Sequence, residues 1–197
     1  RTNPMNNPTT ATTPPPSSKF GLKQLTLTGL MAAVLCILAP ISFRIPISPV
    51  SISLGFLAIY FVTSVLGMKL GTLSVLIYIL LGLAGLPVFS GFLGGPGPLF
   101  GPTGGYILGY VFMAPICGFF VDKWGDKLLM RLLGMVLGSI VCYLFGTAWL
   151  AYQQSCTFFH ALTLGVIPFI PVDLIKLAIA TVIGGQLRKR LLKAGLL

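Results

Sequence analysis

The sequence predicts an all-α integral membrane protein of six transmembrane helices with both termini on the cytoplasmic side, and three observations predict it. Of 197 residues, 55% are hydrophobic and 8% charged, with a mean hydropathy of +0.96, so the charged surface of a soluble domain of this size is missing. Apolar runs recur at lengths near the roughly 20 residues that about 30 Å of hydrocarbon requires. Basic residues fall at alternate connections between those runs.

Residues 1–18 are rich in Pro, Thr, Ser and Asn and include Pro14, Pro15 and Pro16. Such a composition has little apolar surface to bury and is expected to be a disordered tail; it also lacks the short apolar core of a signal peptide. The membrane domain is expected over 19–197. Its spans are read at 25–43, 50–68, 70–88, 105–121, 132–150 and 167–187. Only the region of Gly67, Lys69 and Gly71 separates the second span from the third, which makes them an antiparallel hairpin. Several spans are short, so tilt or a locally thin bilayer is expected.

Charge sets the orientation. Arg1, Lys19, Lys23, Lys69, Lys123, Lys127, Arg131, Arg188, Lys189, Arg190 and Lys193 fall on one side, Arg44 alone on the other, and Lys176 within a span. The side rich in Lys and Arg is cytoplasmic by the positive-inside rule, and the protein is placed in the cell membrane. A polybasic contact with the lipid surface at 188–193 would use the same charges.

The net charge of +10 would suggest nucleic acid in a soluble protein, but here the cations punctuate apolar runs instead of lining a groove. Cys36, Cys117, Cys142 and Cys156 are far apart with no CxxC spacing, so packing thiols are expected, with no disulfide framework and no metal site. His160 has no neighbouring ligand-type residues and reads as a loop histidine. No GxxxxGK[ST] is present, and in the run from Gly95 to Gly101 the third glycine comes one place late for GxGxxG. No catalytic residues are expected: nucleophile–base pairs, paired carboxylates and metal clusters are all missing from the sequence pattern.

Two features stand out against this background. Asp173 and Lys176 lie three residues apart, on one helix face, inside the sixth apolar run. Insertion scales put an ionisable residue at a helix centre at roughly 2.5 to 3.5 kcal/mol, so the pair requires compensation. Either the two neutralise each other, or together they meet a polar, charged ligand. The second feature is the external connection 87–104, which carries no charge and is rich in Gly and Pro. It is expected to fold back over the helices as a lid, where protein covers its backbone.

The segment Gly85-Leu86-Pro87-Val88-Phe89-Ser90-Gly91-Phe92, followed by Gly101-Pro102-Thr103-Gly104-Gly105-Tyr106, resembles the signature of the BioY family. Pro168-Phe169-Ile170-Pro171-Val172-Asp173-Leu174-Ile175-Lys176 is similar to that family's sixth-helix motif, with Val172 where Gly is usual; Gly55 stands where many members carry Gln. The resemblance covers essentially 19–197. It implies an S component, the biotin-capturing subunit of an energy-coupling factor (ECF) vitamin transporter, with an S-component-like bundle and biotin as transported ligand, no cofactor and no enzymatic activity.

Biotin has an anionic carboxylate, a urea with two N–H donors and a carbonyl, and an apolar thioether ring. An ionised Asp173 accepts only and suits a urea N–H; Lys176 donates and suits the carboxylate or the urea carbonyl. Tyr106 would cover the ring and use its hydroxyl, with Phe89, Thr103, Gly104 and Gly105 as wall and lid. Arg44 either reaches the ligand from the first external loop or is solvated. The resemblance further implies a transmembrane coupling subunit and two ATPase subunits as partners. Gly29, Ala32, Ala33 and Cys36, spaced by four on the first helix, offer a small-residue docking face, and Gly134 and Gly138 form a second such pair; intramolecular packing explains either pair equally well. An S component for another small vitamin and a stand-alone secondary transporter are the alternatives; the latter lacks evident inverted repeats.

Overall fold

The computed structural model describes residues 21–44, 46, 48–125 and 127–197. The tail expected over 1–18 lies outside them. Helices dominate: α1 (Leu22–Leu38), α2 (Gly55–Leu83), α3 (Gly97–Phe100), α4 (Gly104–Trp124), α5 (Leu128–Gln153), α6 (Phe158–Gly165) and α7 (Ile170–Lys193). Among the described residues, α2, α4, α5 and α7 are long and apolar enough to cross a membrane, and α1 is apolar but shorter at 17 residues.

α1 buries Thr28, Met31, Ala32 and Leu35, one stripe at helical spacing, against α2. The sequence extends the first span to residue 43, but the helix stops at Leu38, ahead of Pro40, which has no N–H to continue it. With Pro46 and Pro49 following, the chain instead forms two short antiparallel strands, β1 (Ser42–Phe43) and β2 (Ile52–Ser53), in the register Ser42 to Ser53 and Phe43 to Ile52. The second span accordingly begins at Gly55 and not at residue 50.

α2 is two arms joined at Gly67, whose φ of 77° and ψ of −162° suit glycine alone. A methyl at Gly71 would sit 3.2 Å from the Cα of Thr63. In a continuous helix eight residues span about 12 Å, so the arms fold back on each other as the sequence predicts. The second arm ends at Leu83 and not at residue 88, because Gly85 turns the chain at φ 106° and Pro87 follows.

α4 lies centrally, packed on α5 and on α2, while α7 packs mainly on α2. Glycines let α4 and α5 approach closely: Gly109 faces Cys142, Gly134 faces Phe120 and Gly138 faces Cys117. Gly134 and Gly138 therefore serve internal packing. α6 is an element the sequence reading missed; Thr157 caps it, its hydroxyl accepting from the His160 N–H at 3.4 Å.

The arms alternate in direction, so the bundle has two unlike ends. At the end where α7 finishes, Asp122 on α4 accepts from the backbone N–H of Met68 at 2.8 Å and from Arg188 of α7 at 2.9 Å. Arg188 also donates to the Val65 carbonyl at 3.0 Å, so the hairpin turn, α4 and α7 are tied together. The other end, where α7 begins, holds β1, β2 and the segment between α2 and α4.

Candidate binding site

At that end, Asp173 and Lys176 of α7 face a cavity of about 50 Å³. Asp173 sits in the first turn of α7, where the positive end of the helix dipole favours a carboxylate. The Lys176 ammonium lies 2.7 Å from Asp173 Oδ1 and donates to the Ser53 carbonyl on β2, also at 2.7 Å. Tyr143 of α5 donates its hydroxyl to the other carboxylate oxygen, Oδ2. Both side chains are buried, at 8% and 6% exposure, and each has two polar partners in the protein. Two of the three Lys176 donors are engaged in this way.

Aromatic rings form the walls. Phe56, at the start of α2, stands 5.4 Å from Tyr143 and 5.7 Å from Tyr110 between ring centroids. Phe89 packs edge-on against Tyr78 at 5.8 Å, seated on Gly82, where a side chain would collide with its ring. Tyr106 contributes its ring to the lining, while its hydroxyl donates to the Gly165 carbonyl at 3.0 Å. Its hydrogen bond therefore goes to the last residue of α6, which leaves the ring facing the cavity.

The charge-free connection folds over this site. Phe89 pairs with Leu93 across a tight turn, the Gly91 N–H donates to the Pro40 carbonyl at 3.0 Å, and the Gly95 N–H donates to the Gly82 carbonyl at 2.7 Å. Ser90 and Ser51 share a hydrogen bond of 2.6 Å at the cavity edge. Farther along, Trp149 donates to the Gly101 carbonyl at 2.9 Å and Gln153 to the Phe100 carbonyl at 2.6 Å, which ties α3 to α5. Several of the segment's backbone groups are thus paired, while Gly91, Phe92, Leu93, Gly94, Pro96, Gly97 and Phe100 stay exposed.

The structure brings Asp173, Lys176, Tyr106, Thr103 and Phe89 to one cavity. Gly104 and Gly105 lie outside its lining: they start α4, with Gly104 against the Leu99 backbone and Gly105 against Trp149. Arg44 is exposed and also outside the lining. Sequence reasoning missed Tyr143, Ser53, Phe56 and Tyr110. An apolar crevice of about 420 Å³ between α5 and α7 lies behind the site, and Tyr143 and Asp173 border both spaces. Among the described residues no group of three metal-ligating side chains occurs, and all four cysteines are free thiols.

Comparison with known proteins identifies the family. The BioY family model matches residues 8–193. A probable biotin transporter BioY of Pyrococcus horikoshii is 40% identical over 166 residues, covering 84% of this chain and 96% of the relative. The biotin transporter BioY of Thermotoga maritima is 37% identical over 168 residues, covering 85% and 97%. The crystal structure of the S-component for biotin from an ECF-type ABC transporter superposes with a TM-score of 0.79 at 34% identity, covering 85% of this chain and 91% of that one.

Proposed function

The chain belongs to the BioY family, and from that membership we propose that it captures biotin at the outer face of the cell membrane as the substrate-binding S component of an ECF-type transporter. It is a transport protein, not an enzyme. The observation that carries the reading is the buried Asp173–Lys176 pair facing an aromatic-walled cavity. Biotin is chemically suited to such a site. Its bicyclic ring and chain match the aromatic and aliphatic walls, and its urea and carboxylate match an acceptor-only Asp and a Lys with a remaining donor.

At about 50 Å³ the cavity is far smaller than the roughly 300 Å³ at which small-molecule pockets begin, so its walls part to admit a ligand. The covering segment is the wall that moves most readily. It is held by a few loop hydrogen bonds and the Phe89 anchor, whereas the helices are held by extensive packing.

In this reading α1, the two arms of α2, α4, α5 and α7 make six membrane crossings, with both termini cytoplasmic. The end where α7 finishes carries Lys69, Lys123, Lys127, Arg131, Arg188, Lys189, Arg190 and Lys193, which supports that orientation. Energy comes from a transmembrane coupling subunit and two ATPase subunits. Of the four small residues proposed for docking on α1, Gly29 and Ala33 are exposed and nothing lies near Gly29, whereas Ala32 is buried and Cys36 half-buried. Docking is therefore assigned to the Gly29–Ala33 face.

Purified protein and labelled biotin test the reading: one biotin binds per chain without nucleotide. Absence of saturable biotin binding by folded protein contradicts it.

A further inference from the structure

A second cavity, of about 320 Å³, opens at the opposite end of the bundle from the biotin site, between the end of α4, the start of α5 and the end of α7. Five cationic residues line it: Lys123, Lys127, Arg131, Arg188 and Lys189. Asp122 is the acidic residue among the described lining, and both its oxygens are engaged, by Arg188 and by the Met68 N–H. The chain has only three acidic residues, Asp122, Asp126 and Asp173, and Asp173 belongs to the other end. Counting Asp122 and Asp126 together, the five cations still leave an excess of three. No other acidic side chain exists in the sequence to balance it.

We propose that this cavity binds the phosphate of an anionic phospholipid headgroup. A phosphate presents the acceptor oxygens that guanidinium and ammonium donors recognise. Its source is argued from the rest of the lining. Trp124 and Leu192 give the cavity an apolar side, and the Lys123 ammonium stands 4.6 Å over the Trp124 ring. Leu128 and Leu129, which follow Lys127 at the start of α5, are 49% and 64% exposed. Trp with exposed Leu next to Lys and Arg is the composition of a membrane interface, where glycerol and acyl groups accompany the phosphate. α5 also begins here with no acidic residue in its first turn and no side-chain cap, so the positive end of its dipole adds to the attraction.

The inference rests on this end facing the inner leaflet, but its test does not. Full-length protein in non-ionic detergent is titrated with phosphatidylglycerol, phosphatidylcholine or inorganic phosphate, and melting temperature and lipid adducts in native mass spectrometry are recorded. Phosphatidylglycerol is expected to raise the melting temperature and leave one retained adduct, with phosphatidylcholine doing neither. The double variant Lys127→Gln/Lys189→Gln is expected to lose at least about tenfold in phosphatidylglycerol retention while keeping a cooperative melting transition, which shows that it is folded. Arg190→Gln/Lys193→Gln removes the same charge outside the cavity and is expected to retain the lipid. Should the first variant not fold, 1 M salt on the unmodified protein is expected to abolish the phosphatidylglycerol effect. Equal retention of both lipids, equal loss in the two double variants, or equal protection by inorganic phosphate would each overturn the proposal. A failure of biotin binding leaves these outcomes readable.

Discussion

The hydroxyl of Tyr143 on α5 donates to one carboxylate oxygen of Asp173 on α7, while Lys176 holds the other at 2.7 Å. α5 and α7 otherwise meet sparsely, and the Tyr143–Asp173 contact stands between the aromatic-walled cavity and the apolar crevice behind it.

Tyr143→Phe is therefore expected to weaken biotin binding by roughly 10- to 100-fold, since a hydrogen bond to a charged group contributes about 1.5–3 kcal/mol. The ring still packs on Phe56, so the fold is retained. Equilibrium binding with labelled biotin checks this, and unchanged affinity would leave Tyr143 a packing residue only.

Gly82→Ala is expected to speed biotin release. A Cβ at Gly82 collides with the Phe89 ring, and overpacking of this kind costs roughly 1–3 kcal/mol, here loosening the covering segment at its anchor. Wash-out of labelled biotin reads the dissociation rate, and a rate equal to the unmodified protein's would show that Phe89 does not hold the segment shut.

Gly67→Ala is expected to destabilise the bundle more than Gly85→Ala. Both glycines have positive φ, a cost of about 1–3 kcal/mol for alanine, but only at Gly67 does the added Cβ also meet the Asp122 carboxylate. Thermal unfolding of the two variants in detergent decides the order.

For orientation, a single cysteine at Phe92, which is 65% exposed, is expected to react with an impermeant reagent from outside intact cells, and one at Lys123 is not. Both are placed in a chain with Cys36, Cys117, Cys142 and Cys156 replaced by alanine. Ser90 is a poorer labelling position, being half-buried and bonded to Ser51. The reverse labelling pattern would invert the topology.

The Asp173–Lys176 pair was legible in the sequence because two ionisable residues at helical spacing in an apolar run have few explanations. The turn at Gly67 was legible because Gly, Lys and Gly interrupt a run too long for one span. Tyr143 was not: an aromatic in the apolar α5, 30 residues from Asp173, looks the same as a lipid-facing one until the helices pack. Ser53 contributes a backbone carbonyl, which every residue has, so no side-chain pattern points to it. β1 and β2 are two residues each, shorter than any periodicity can register, and they replace the apolar edges of two predicted spans.

The most direct measurement is biotin affinity in Asp173→Asn, Lys176→Gln and the double variant. Each single change strands a buried charge and tends to destabilise the fold, whereas the double change removes both charges and is expected to stay folded. At least roughly 100-fold weaker binding is expected in the folded double variant, the loss of two charge-assisted contacts of about 1.5–3 kcal/mol each. A folded double variant that binds biotin as tightly as the unmodified protein would show that the pair is only an internal ion pair and that biotin is held elsewhere.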